Sequence, residues 1–245
     1  KPDVVIHLAA VSHANRSNKD PFSTFDHSMR TLENVLDAVR STNTHIIYFS
    51  SSMVYGNFNN KAVTEDAVCN PLGIYGSLKY GAEKLVNAYN QVFDLKYTII
   101  RPSALYGERC VSRRVGQAFI ENAIVGKSLT VNGDGKDLLD FTYIEDLVEG
   151  VILCMNNKRA HGQIFNLTYG QAREIKEVAE IVMNNFPGIN IEYKPRDIMM
   201  PERGTLSIEK AQDLLGYKSI NPIEIGFQKY IDWYKAFHAK NKDFF

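Results

Sequence analysis

The chain has 245 residues, enough for one substantial core or for a domain with a smaller lobe. Its 28 basic residues balance 28 acidic ones, so it carries no field for nucleic acid or an anionic membrane, and neither partner is expected. No apolar run approaches the roughly eighteen residues of a membrane span, and Cys69, Cys110 and Cys154 lack CxxC or metal-ligand spacing, as in a reduced cytoplasmic protein that holds no metal.

Val4 to Ala9 is short and almost wholly apolar, which predicts a strand buried on both faces of a parallel sheet. Pro21 opens a helical stretch, with Phe22, Phe25, Met29, Leu32, Val35, Leu36 and Val39 at helical spacing. His45 to Ser50 is the next strand. A long loop ends near Pro71, and a helix carrying Tyr75 and Lys79 continues through Leu85, Val86, Tyr89 and Phe93. Tyr97 to Arg101 is strand-like, and Pro102 closes it. This alternation of strand and helix predicts a doubly wound α/β sheet. After Gly107 the pattern changes. A helix over Val115 to Gly126 leads to a short strand at Leu129-Thr130-Val131 and a turn at Gly133-Asp134-Gly135, and an amphipathic segment from Ile223 to Phe237 ends the pattern.

Tyr75 and Lys79 stand four residues apart, so a helix places them on one face, where the phenol and the ammonium can meet. A cation beside the phenol would lower its pKa from about 10 toward neutrality, as a general base requires. Upstream runs Phe49-Ser50-Ser51-Ser52-Met53-Val54-Tyr55-Gly56, a serine-rich strand end whose hydroxyl can hold a substrate oxygen. YxxxK alone recurs by chance; its spacing from the serines is what makes it specific.

With those two pieces the chain resembles the extended short-chain dehydrogenase/reductases of the NAD-dependent epimerase/dehydratase family, of UDP-glucose 4-epimerase type. The resemblance continues through Val5-Ile6-His7-Leu8-Ala9-Ala10, Arg101 to Gly107, Gly133 to Gly135, Asp140 to Leu147 and Ile164 to Leu167. It implies a Rossmann-like parallel sheet, N-terminally incomplete, with a smaller α/β substrate-binding lobe. Residues 1–107 would form the partial dinucleotide-binding domain with the catalytic residues. Residues 108–245 would be mainly the substrate lobe, with returns to the sheet near 140–156 and 164–168. The family's glycine-rich turn, which cradles the cofactor pyrophosphate at a helix N-terminus, does not precede Lys1. The sequence therefore reads as a piece of a longer protein, and the isolated chain is expected to be inactive.

The resemblance also assigns roles. Tyr75 is the catalytic base, Lys79 its electrostatic partner and a nicotinamide anchor, and Ser51 the hydroxyl beside the reacting carbon. Counting back from Val54-Tyr55-Gly56 selects Ser51, with Ser50 and Ser52 as the alternatives. Leu8, Ala9, Ala10, Ser50 and Pro102 join Tyr75 and Lys79 in holding the cofactor, expected to be NAD; NADP is the alternative, because the discriminating segment lies upstream of Lys1. His13 is a weaker candidate in the loop after the first strand. The family's 4,6-dehydratases carry an Asp-Glu pair where this chain has Ser52 and Met53, neither of which transfers protons that way, so a dehydratase is disfavoured. The family's phosphate-binding asparagine and arginine are Ala104 and Leu139 here. Arg113, Arg114 and Arg203 are the replacement clamp for a diphosphate, with Ser51 and Ser52 completing the substrate contacts.

These readings describe a nucleotide-sugar epimerase acting at C4, working on a nucleotide-diphosphate sugar, cytoplasmic and homodimeric through the helices around Phe22–Val39 and after Tyr75. The alternatives are an NADPH-dependent reductase of a 4-keto nucleotide sugar, and a non-catalytic truncated remnant.

Overall fold

The computed structural model describes residues 1–58, 62–110, 112–197 and 200–241. A parallel sheet organises the first half. β1 (Val4–His7) leads through three helical pieces, α1 (Ala14–Lys19), α2 (Pro21–Phe25) and α3 (Thr31–Val39), to β2 (His45–Phe49). A single 3₁₀ turn, Ser52–Tyr55, and a loop then precede α4 (Gly73–Phe93), which returns the chain to β3 (Lys96–Arg101). Beyond β3 come β4 (Leu105–Tyr106), α5 (Val115–Ile124), β5 (Leu129–Asn132), β6 (Leu138–Leu139), β7 (Thr142–Tyr143) and α6 (Ile144–Asn156). β8 (Gln163–Asn166) re-enters the main sheet, followed by β9 (Arg173–Glu174), α7 (Ile175–Asn185), β10 (Ile191–Lys194), α8 (Glu209–Leu215) and α9 (Ile223–Lys240).

The main sheet has the order β1-β2-β3-β8, and every pair in it is parallel. The period of two along a strand sorts its apolar residues onto two layers. Ile46 and Tyr48 of β2, with Ile99 of β3, face Leu32 and Leu36 of α3 and Val86 of α4. Ile47 and Ile100 face the opposite way, onto Leu147 and Val151 of α6 and Leu215 of α8. A separate core gathers Phe119 and Ile120 of α5, Leu129 and Val131 of β5, Val178 and Val182 of α7, and Phe227 and Tyr230 of α9.

Two expectations change. β1 pairs only with β2 among the described residues, and Ile6 is 40% exposed, so the strand is not buried on both faces. The single helix expected from Pro21 is interrupted by a π-helical turn at Asp26–Arg30. The wider turn shifts the angular register of what precedes it. Leu32 and Leu36 therefore bury against the sheet, whereas Phe22 and Phe25 stay exposed.

Candidate active site

The carboxyl ends of β1, β2 and β3 open on a cleft of about 610 Å³, closed on the far side by α5, the Leu138–Leu139 strand and the residues around Arg203. In an open α/β sheet, ligands bind in this position because the strands end there and the following loops diverge.

β2 and β3 run on together past their last paired residues. Ser50 N donates to Ile100 O (2.8 Å), and Ser52 N donates to Pro102 O (2.9 Å). Ser51 then caps the 3₁₀ turn, its Oγ accepting from Met53 N at 3.2 Å. Gly76 brings α4 against that turn: a Cβ there would sit 2.8 Å from the Met53 carbonyl oxygen, so only glycine permits the approach. The neighbouring Tyr75 is thereby set into the same cleft as Ser51, whose hydroxyl acts on the phenol.

One turn on, the Lys79 side chain is buried beneath the cleft. Nζ donates to Phe49 O at 2.6 Å and lies 5.0 Å from the centre of the Tyr48 ring. Burial lowers its pKa to about 8, against a smaller opposing pull from the Glu83 carboxylate. Burial likewise pushes the Tyr75 phenol above its ordinary value; the Ser51 hydroxyl and then the charges of Arg114 and Arg203 draw it back. This departs from the expectation that Lys79 does so. The ammonium is held by the Phe49 carbonyl at the strand end, and the cations acting on the phenol come from across the cleft.

The remaining candidates divide. Leu8 and Ala10 line the cleft after β1, whereas Ala9 between them does not. Pro102 lines the cleft and serves Ser52 through its carbonyl. Ser52 Oγ is buried without a hydrogen-bond partner among the described residues, and so is Arg203 Nε. Arg203 Nη1 donates to Met53 Sδ at 2.9 Å, and Nη2 lies 3.4 Å from Ser103 Oγ. Desolvation, and after it the nearby Arg114, lower its pKa to about 10. Arg114 donates from Nη2 to Ser12 O at 3.1 Å. Arg113 differs: it lines the cleft but is exposed, with Nε 3.0 Å from Glu121 Oε2, at a left-handed φ of 44°. His13 lines the cleft but is exposed. Ala104 also lies in the left-handed region, at φ 29°, which asparagine tolerates better than alanine does.

Sequence reasoning missed a buried network beneath the serines. Glu83 accepts from Ser50 Oγ (2.5 Å), Arg101 Nε (2.9 Å) and Arg101 Nη2 (2.6 Å). Arg101 Nη1 donates to Tyr55 Oη (2.9 Å), and that hydroxyl donates to Asn166 Oδ1 (2.7 Å). The available signal was the four-residue step from Lys79 to Glu83, which puts both on one helical face.

The model of the NAD dependent epimerase/dehydratase family matches residues 1–168. The chain belongs to that family. It is 31% identical over 242 residues to a putative UDP-glucose 4-epimerase of Methanocaldococcus jannaschii, covering 95% of this chain and 77% of that one. Among solved structures it resembles UDP-glucuronic acid 4-epimerase from Bacillus cereus in complex with UDP-glucuronic acid and NAD, with TM-score 0.91, 27% identity and 96% and 76% of the two chains covered. UDP-glucose 4-epimerase of Thermus thermophilus in complex with NAD shares the fold, with TM-score 0.89, 23% identity and coverage of 96% and 78%.

Proposed function

We propose that the protein is a nucleotide-sugar epimerase acting at C4 with NAD as its cofactor. The observation that carries this is the Tyr75 phenol beside Ser51 in one cleft whose lining includes Arg113, Arg114 and Arg203. The 4-epimerase names of the Methanocaldococcus and Bacillus relatives support this chemistry over the reductase alternative.

The residues present fit a nicotinamide cofactor. Leu8 and Ala10 offer a low rim after β1, and the Lys79 ammonium and Ser50 stand under the floor where strands end. Held there, NAD would supply reversible hydride acceptance for C4 of the sugar. Tyr75 accepts the proton of the 4-hydroxyl and gives it back, and Ser51 holds the oxygen between them. The charges of Arg114 and Arg203 favour the ionised phenol against its burial. The orphaned Ser52 Oγ and Arg203 Nε are donors awaiting acceptors, as an anionic diphosphate supplies. A sugar tethered by its diphosphate can turn over within the cleft without leaving, which epimerisation requires. Arg113 also lines the cleft and pairs there with Glu121, so it joins the clamp only when that exposed pair opens.

The exposed Phe22 and Phe25 of α2, with Val92 and Phe93 at the end of α4, support packing against a second copy of the chain. The three free thiols support a reducing, cytoplasmic setting.

The test supplies full-length protein with UDP-glucose and UDP-glucuronic acid separately, without added reductant. Interconversion of C4 epimers is expected. No turnover on any UDP-, GDP-, CDP- or dTDP-hexose rejects the reading, and in a separate assay with NADPH and a 4-keto nucleotide sugar, stoichiometric NADPH oxidation replaces it with the reductase.

A further inference from the structure

We infer that Glu83 is a positioning residue for the reaction: its buried carboxylate holds the Ser50–Ser51 strand end against the helix that carries Tyr75 and Lys79. This rests on the reading of Ser51, Tyr75 and Lys79 given above.

α4 is fastened to the end of β2 at two successive turns. Lys79 Nζ donates to Phe49 O (2.6 Å), and four residues on Glu83 Oε1 accepts from Ser50 Oγ (2.5 Å). The carboxylate is 3% exposed, so both bonds act away from competing water. Its other contacts are the fork of Arg101, the last residue of β3. The two strands that frame the cleft floor therefore meet the catalytic helix at one side chain. Ser51 follows Ser50 directly and lines the cleft with Tyr75, so a movement of Ser50 changes the Ser51–Tyr75 separation.

A buried ion pair contributes little net stability compared with apolar residues of the same volume. The consequence of Glu83 is thus geometric and electrostatic. The groups facing Lys79 are Glu83 and Tyr75 on its own helix, His7 on β1 and Tyr48 on β2. Of these, Glu83 is the one that sustains the ammonium against desolvation. His7 is a base whose own pKa is lowered by burial and by Lys79, so it stays neutral and lends no counter-charge.

The experiment uses full-length protein and two variants. Glu83→Gln keeps the volume and removes the charge; Glu83→Met with Arg101→Met replaces the pair by apolar side chains and keeps the fold when the single change does not. Misplacement of reacting groups by about 1 Å costs about 10²-fold, so kcat should fall by about that factor while KM for the nucleotide sugar stays within about twofold. In ¹³C-lysine NMR spectra, Lys79 should lose its proton at lower pH in both variants than in the parent. Wild-type kcat in the folded double variant, or an unmoved Lys79 titration, overturns the inference. Should the parent lack epimerase turnover while the Lys79 titration still moves, the catalytic reading fails and the coupling of Glu83 to Lys79 stands.

Discussion

Replacing Lys79 by methionine should abolish the proposed activity and yet stabilise the fold at neutral pH. Lys79 is buried, and its pKa falls to about 8 from 10.5. A gap of about 2.5 pH units, at about 1.4 kcal/mol each, means that keeping the ammonium inside costs about 3.5 kcal/mol. Folded Lys79 binds its proton less tightly than the unfolded chain does. The penalty is therefore complete below about 8 and fades as pH rises to 10.5. Methionine has nearly the same length and no charge, but it loses the bond to the Phe49 carbonyl, which takes back about 1.5 kcal/mol. The variant should be more stable than the parent by about 2 kcal/mol at pH 7, with the difference closing to about zero by pH 10. Urea unfolding of both proteins at a series of pH values measures this, because titrations of groups not coupled to Lys79 cancel in the difference, and His7, which Lys79 does influence, titrates well below the window in question. A variant less stable than the parent at pH 7, or a difference that does not change with pH, refutes the reasoning.

Tyr75→Phe removes the proton acceptor and keeps the ring, so kcat should fall by about 10²–10⁴ while thermal unfolding moves little; near-normal turnover would reassign the base. Arg203→Ala should raise KM for the nucleotide sugar more than it lowers kcat, since a diphosphate is held equally in ground and transition states. Arg113→Ala, which breaks only a surface pair with Glu121, should change KM little and stability by less than about 1 kcal/mol; steady-state kinetics on the two arginine variants checks both. Leu36→Ala, in the layer between α3 and the sheet, should cost about 2–5 kcal/mol in denaturant unfolding with KM unchanged.

What the sequence by itself determined is what local pattern encodes. The apolar run His45–Phe49 and the helical spacing of Leu32, Leu36, Val86 and Tyr89 announced sheet and covering helices, because periods of two and 3.6 are properties of the backbone. Tyr75, Lys79 and the triple serine stood out because a four-residue helical step and a strand end are both local. Tertiary structure decided everything that depends on burial and on distant partners. Nothing near Phe22 in the chain tells that a π turn would leave it exposed. Sequence alone does not tell which of the three arginines act on the tyrosine; the fold lines the cleft with all three, ties Arg113 to Glu121 and lets the charges of Arg114 and Arg203 reach Tyr75. Likewise the phenol's charge environment could not be read from YxxxK. It is the Phe49 carbonyl, thirty residues away, that takes the lysine's proton donor, and a guanidinium from position 203 that faces the tyrosine. Desolvation and pairing of charges are set by what the whole chain brings together, and no local spacing encodes them.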